Sequence, residues 1–563
     1  QDRSKTEVII PVLKLGKITV SFYVRLYQAI MVQTNIVADE SQTVVTTPSK
    51  NNKILYILFI LLILFVLTTL AISAGTLSVI LNRLNNNSSG AGSNVNKICN
   101  NLVDSIEVQQ MFDHLKQLQA IADENNGTRA SGTNGFNLTV DYITKYLKDH
   151  TNLKVQQQYF PIRTFQLERN PILISNVNGI QTNYTFPSDF TSVPFSGSAS
   201  FSTPIQLVVI PNSGCFDSDW GNISTLSNRV ALVQRSDNCT FVEISERATK
   251  NYAAGLLIYN DGIPPYGFEP IKEYYDPVNT TFPVLSLSYS IGFQLVQAAR
   301  NSAMNATVII SILVKDTPPS TVANICADTP TGDVTKTILV GSHSDSVPYG
   351  SGINDNGSGS AANLALAVNL ARLLQTSVYL PYAYRVRFCW WAAEEMGLLG
   401  SKYHVQQAAL ATAVEGERLQ DYLVNINIDM LGSPNFFFGI YDGKATQGTA
   451  AHGSIQISEL LREWFSKQEL PWDIIKVVDT DHIPFLAVGI VIGGLFSGAA
   501  GTKTNTKRDK YDQILGQGHG GIADTIYDPC YHEECDTVQN INPFVYEKMT
   551  KAAAYVLQYL GQL

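Results

Sequence analysis

Apolar residues recur at helical spacing across Val108–Ile121 and Leu138–Leu147, which predicts two amphipathic helices. From about Val155 to about Val314 the pattern changes to short runs rich in Phe, Thr, Val and Ile, broken by Pro, Gly and Asn, as strands joined by turns require. After Ala323, short apolar strands at Thr337–Val340, Tyr384–Ala392 and Tyr422–Ile428 alternate with helical stretches such as Ser358–Leu374, and a last amphipathic helix is predicted over Pro543–Leu560. Such alternation builds an α/β domain on a central sheet. The strand-rich stretch therefore reads as a mainly-β insertion between that domain's first helices and its sheet. No internal repeat is evident.

Upstream, Ile54–Leu81 carries no charge and is long enough to cross a hydrocarbon core of about 30 Å, so a transmembrane helix is predicted there. Residues 1–53 would form a cytosolic tail, in which residues 1–30 show no motif and Met31 offers a translation start. Asn82–Asn96, a run of Asn, Ser and Gly, reads as a flexible stalk leading to a folded part near Ile98. Nine N-x-S/T sequons outside the catalytic motifs lie downstream of Ile54 and none before it. The expected topology is a type II single-pass membrane protein with a lumenal or extracellular catalytic part. The competing reading is a signal cleaved after the small residues Ala71-Ile72-Ser73-Ala74, giving a secreted or vacuolar product. The domain boundaries so drawn are 98–154 and 315–563 for the α/β domain and 155–314 for the insertion.

A chain of 563 residues with 45% hydrophobic and 15% charged residues is globular and exceeds one ordinary core. Its formal charge of −9 gives no footprint for nucleic acid. The seven cysteines contain no C-x-x-C pair, so disulfides are the expected use once the chain leaves the cytosol.

The chemistry concentrates in four strings. In ILVGSHSDSVPYGSGINDNGSGSAA a strand delivers His343 and Asp345, and the Gly-rich loop after it carries Asp355 before a helix. YRVRFCWWAAEEMGLLGS ends an apolar run on Glu394 and Glu395, DYLVNINIDMLGSPN places Asp429 likewise, and DPCYHEECD sets Tyr531 and His532 between cysteines. Taken singly, each is an ordinary turn residue or helix cap. Together, imidazoles and carboxylates at four strand or loop ends suit zinc in a catalytic setting, and a carboxylate shared by two ions holds them about 3.5–4 Å apart.

These strings resemble the co-catalytic zinc aminopeptidases, the group of bacterial secreted leucyl aminopeptidases and fungal vacuolar aminopeptidase Y, over about Ile98–Leu563. The resemblance implies an α/β fold with a mixed central sheet flanked by helices and two Zn2+ ions per chain. His343 and Asp429 would bind one ion, Glu395 and His532 the other, and Asp355 both. Glu394 would be the general base acting on a hydroxide shared by the metals, Asp345 would orient His343, and Tyr531 would donate to the tetrahedral intermediate. Expected substrates are peptides and proteins with a free N-terminus, whose α-ammonium the carboxylates of Glu394 and Asp429 would hold. DTDHIPF, with Asp479, Asp481 and His482, resembles a segment beside the substrate, although some bacterial relatives have arginine where Asp479 stands. Phe496 of GGLFSGA is a candidate for the side-chain pocket.

VALVQRSDNCTF and RATKNYAAGLLIYND resemble the protease-associated domain, which implies a Cys215–Cys239 disulfide. Cys530 and Cys535 are expected to bridge and to fix Tyr531 and His532, Cys99 to pair with Cys326, and Cys389 to stay a buried thiol. Asn356-Gly357-Ser358 matches a sequon but is expected to be unmodified because a glycan there would block the cleft. Two other readings remain: a glutamate-carboxypeptidase-like exopeptidase, for whose C-terminal helical domain little chain follows His532, and a non-catalytic receptor-like ectodomain, whose relatives lack the ligands kept here.

Overall fold

The computed structural model describes residues 102–563 apart from 222–225, 237, 264–266, 272–281, 316 and 477–479. The expected tail, transmembrane segment Ile54–Leu81 and stalk, Cys99 and Asp479 lie outside the described residues. Among the described residues no helix is long and apolar enough to cross a membrane.

Two helices open the described chain, α1 (Val108–Asp123) and α2 (Asn134–His150). Met111, Leu115, Leu118 and Ile121 fall on one face of α1 and are buried, as their spacing of three and four residues dictates. α2 starts at Thr133, whose side chain accepts from the Phe136 N–H.

An eight-stranded sheet forms the centre. Its strands are β1 (Lys154–Ile162), β2 (Ser320–Asp328), β3 (Asp333–His343), β4 (Tyr384–Trp391), β5 (Tyr422–Ile428), β6 (Gly439–Tyr441), β7 (Asp473–Ile475) and β8 (Val491–Phe496), in the order β1-β2-β4-β3-β5-β8-β6-β7. β4, β3, β5 and β8 are mutually parallel, and β1, β2 and the β6–β8 pairing make the sheet mixed. The helix α3 (Gly359–Leu374) is buried on every side through Ala371, because it lies between the sheet and the outer layer of α1 and α2. α4 (Pro543–Gly561) closes the same core, and its first turn is capped by Asn542.

β1 corrects the sequence reading, which grouped Val155 onward with the insertion. It pairs antiparallel with β2 along its whole length, from Lys154↔Asp328 to Ile162↔Ser320. An alternating strand satisfies either sheet, so its pattern could not assign it. The chain leaves the main sheet after Ile162 and returns beside the exit, with Gln166–Leu167 paired to Val314–Lys315. Between these lies a nine-stranded sheet with its own core. Four of its strands, Ile205–Val209, Val230–Gln234, Gly255–Tyr259 and Val284–Leu287, are parallel neighbours. Helices Phe241–Lys250 and Tyr289–Arg300 pack into separate clusters of that core, so this unit carries α/β crossovers as well as antiparallel strands.

Cys215–Cys239 and Cys530–Cys535 are bonded as expected. The third disulfide joins Cys326 to Cys389, which corrects both the Cys99–Cys326 pairing and the free Cys389 thiol. These two residues face each other directly across the antiparallel β2–β4 ladder, with Cα atoms 4.2 Å apart. Three disulfides belong to an oxidising compartment, extracellular or lumenal.

Candidate active site

The parallel register of β4, β3, β5 and β8 brings their carboxyl ends to one edge, where open α/β sheets gather function. His343 ends β3 opposite Trp391 of β4, so Glu394 and Glu395 emerge beside it. Asp429 follows β5 and donates its N–H to Leu495 O of β8. Asp355 arrives on the loop between β3 and α3, and His532 on the loop closed by Cys530–Cys535.

Local backbone aims these side chains. Ala393 (φ 54°), Met430 (φ 47°) and His532 (φ 60°) occupy the left-handed region, uncommon for residues with a Cβ and tolerated where surrounding bonds enforce it. The buried Asn356 donates to Ile428 O at 3.0 Å and accepts from Gly359 N and Met430 N, tying the Asp355 loop to the Asp429 turn. A Cβ on Gly359 would stand 2.4 Å from Ile428 O, so glycine alone allows this approach. With its amide donated inside the core, Asn356 presents no site for a glycan.

His343 Nε2 lies 3.2 Å from Asp355 Oδ1, 3.6 Å from Asp429 Oδ1 and 3.9 Å from Glu394 Oε2. His532 Nε2 lies 3.1 Å from Asp355 Oδ2 and 3.2 Å from Glu395 Oε2. One carboxylate thus serves both imidazoles, each through a different oxygen. Asp345 Oδ1 stands 3.5 Å from His343 Nδ1, the outer limit of a hydrogen bond, and accepts from Glu394 N at 3.2 Å. Tyr531 stacks its ring on His532 at 3.8 Å.

Burial pushes the Glu394 carboxyl well above the usual range; His343 opposes this, while Glu395, Asp481 and Asp429 add to it. Burial also raises Glu395. For Asp355 burial works upward, but hydrogen bonds from His343 and His532 hold it below the ordinary range. Both imidazoles are held well above theirs despite burial, His343 by Glu394 and Asp429 and His532 by Glu395 and Asp355.

These side chains fit a metal. Glu395 Oε1 and Asp429 Oδ1 are buried with no hydrogen-bond partner, and such atoms are costly unless a cation satisfies them. Ligand atoms of His343, Asp355 and Glu395, and of His343, Glu394 and Asp429, lie within 4.8 Å of one another. A divalent cation would satisfy these buried atoms directly.

Of the residues expected beside the substrate, Phe496 ends β8 half-buried, its ring 6.0 Å from that of Phe437. His482 has no accessible surface, packs 4.8 Å from the Tyr441 ring and is driven down to a pKa of about 3 by burial. It caps the start of the short helix Ile483–Ala487, and neither of its ring nitrogens has a hydrogen-bond partner.

Asp481 of the same string, fully buried, joins the electrostatic field of His343 and Asp429 and is pushed by burial up to about 7. Other residues escaped the sequence reading. Thr480 donates to Asp429 Oδ2 at 2.7 Å. Arg129, also fully buried, donates to Ser344 O, Ser351 O and Gly352 O at 2.5–2.9 Å, clamping the loop between His343 and Asp355. Arg129→Met would strip a donor from three buried carbonyls and is expected to cost about 3 kcal/mol or more, read as a lower denaturant midpoint. Tyr349 of that loop hydrogen-bonds Thr191, so the inserted unit reaches the edge of the site.

The profile of Peptidase family M28 matches residues 324–557, and that of the PA domain residues 203–295. The chain is 33% identical over 472 residues to the aminopeptidase of Pseudomonas aeruginosa (strain UCBPP-PA14), covering 81% of each chain. It is 30% identical over 462 residues to leucine aminopeptidase 2 of Trichophyton rubrum, covering 81% of this chain and 84% of that one. Among solved structures it is similar to an aminopeptidase from Aneurinibacillus sp. strain AM-1 (TM-score 0.61, 18% identity, 82% of this chain and 96% of that one). It is also similar to a zinc aminopeptidase from Bacillus subtilis (TM-score 0.56, 19% identity, 81% and 95%). At such identities the structural likeness is one of fold.

Proposed function

The chain belongs to peptidase family M28, and from that membership we propose how it works as a zinc-dependent aminopeptidase with an inserted PA domain. Two zinc ions would be held, one by His343, Asp429 and Asp355, the other by His532, Glu395 and Asp355. The observation that carries this reading is the Asp355 carboxylate, with one oxygen 3.2 Å from His343 and the other 3.1 Å from His532. Zinc bound there supplies a Lewis acid that makes water nucleophilic near neutral pH and polarises the scissile carbonyl.

The side chains supply the rest. Glu394, its side chain 12% exposed, takes a proton from the attacking water and returns it to the leaving amine. Asp345 bonds the Glu394 backbone and flanks His343, setting the angle of both. Tyr531, anchored on His532, donates to the carbonyl oxygen as negative charge develops. Glu394 and Asp429 offer carboxylates to the substrate's α-ammonium. Phe496 lines the pocket for the first side chain.

The inserted unit, meeting the Asp345–Asp355 loop through Thr191, restricts entry to slender peptide ends. Attachment to a membrane through Ile54–Leu81, with the catalytic part lumenal or extracellular, is supported by the one-sided sequons.

The test is residue release from a leucyl peptide and from its N-acetylated twin, with and without a zinc chelator. Cleavage of the free-amine peptide alone, lost on chelation and restored by zinc, is expected. Release from the C-terminus instead, or equal cleavage of the acetylated peptide, overturns the reading.

A further inference from the structure

The loop that carries Asp355 needs an anchor, because its backbone N–H groups precede α3 inside the protein and must find acceptors. Asp536 supplies one. It is 1% exposed and stands directly after Cys535, four residues beyond His532. Its Oδ1 accepts from Asn354 N at 2.8 Å and from Asn540 Nδ2 at 3.2 Å, and its Oδ2 accepts from Asp355 N at 3.0 Å. Its backbone carbonyl accepts from Ser351 Oγ at 2.7 Å and Ile353 N at 3.2 Å.

We propose that Asp536 is a positioning residue for the metal centre: fixed to His532 by the disulfide-closed loop, its carboxylate grips the backbone of the neighbouring loop at Asn354 and Asp355 and sets where the Asp355 carboxylate stands between the two imidazoles. This rests on the reading of Asp355 as the ligand shared by two zinc ions. Two parts of the centre, Asp355 and His532, come from loops far apart in sequence, and a carboxylate that must address both ions tolerates little movement of either loop. Asp536 converts the two loops into one body. Its two side-chain oxygens suit this task, since the groups facing them in these bonds are N–H donors. An amide would turn an NH2 toward one of them.

The comparison residue is Asp528, also fully buried, which shares Asn540 with Asp536 and accepts from Asn354 Nδ2 and Cys530 N, while the Asp355 N–H is bonded to Asp536. Zinc affinity of the stripped full-length chain is measured by competition with a colorimetric chelator for wild type, Asp536→Asn and Asp528→Asn, with circular dichroism to verify folding. Asp536→Asn is expected to weaken zinc binding about 10–100-fold, to lower kcat with KM little changed, and to regain activity in excess zinc. Asp528→Asn is expected to keep wild-type zinc affinity. If Asp536→Asn misfolds, Asp536→Glu, which keeps charge and acceptors but adds a methylene, is expected to weaken zinc binding in the same direction. Wild-type affinity in the Asp536 variants, or an equal loss in Asp528→Asn, overturns the proposal. A wild-type chain that binds no zinc overturns the reading of Asp355 and the role of Asp536 with it.

Discussion

Replacing Glu394 by Gln is expected to lower kcat by roughly 10²–10⁴-fold, the range that a positioned general base contributes, with zinc content unchanged. The substitution conserves shape and removes only the ability to carry a proton. Because burial already pushes the Glu394 carboxyl well above the usual range in the stripped protein, an amide of the same shape removes little charge, so the thermal midpoint of the stripped protein should hold. Zinc content by atomic emission, kcat on a leucyl peptide and the unfolding midpoint decide the matter together. Activity within tenfold of wild type would move the base elsewhere, with Asp481 a further buried carboxylate whose charge acts on Glu394.

The second large effect is expected at Asp355. Asp355→Ala removes a carboxylate that stands within 3.2 Å of both His343 and His532, so zinc stoichiometry should fall at both positions, where His532→Ala should weaken chiefly one. Loss of Lewis acidity worth several kcal/mol corresponds to a rate reduction of about 10³-fold or more. Zinc-dependent quenching of tryptophan emission or calorimetric titration would show the difference between the two variants. Equal loss from both would mean that the ions bind as an inseparable pair, and full retention in Asp355→Ala would remove the bridge.

The centre was legible because chemistry there breaks a pattern. Glu394, Glu395 and Asp429 stand at the ends of long apolar strands, where a charge without purpose is expensive, and His343 closes another such strand. The parallel order β4-β3-β5-β8 then makes neighbours of residues that the chain separates. Arg129 gave no comparable signal, since a lone arginine between two helices is usually a surface residue, and only the fold shows three carbonyls turned toward it. The Cys326–Cys389 bond was hidden for a related reason: the partners face each other only once β2 and β4, with β3 between them in sequence, are set side by side. His482 was named from its string alone, which gives no sign that the residue is fully buried beside Tyr441.

The side-by-side entry and exit of the inserted unit bears on how the molecule is made. β1 leaves the ribosome long before β2, its partner in the sheet, has been synthesised. Closing so long a loop in a disordered chain carries an entropy cost that grows with its length. The inserted unit has a core of its own and is synthesised whole before β2 appears, so it can fold first, and in doing so it brings Gln166–Leu167 against Val314–Lys315. The distant pairing of β1 with β2 then becomes a local hairpin closure, and the insertion serves as the scaffold on which the edge of the catalytic sheet is zipped.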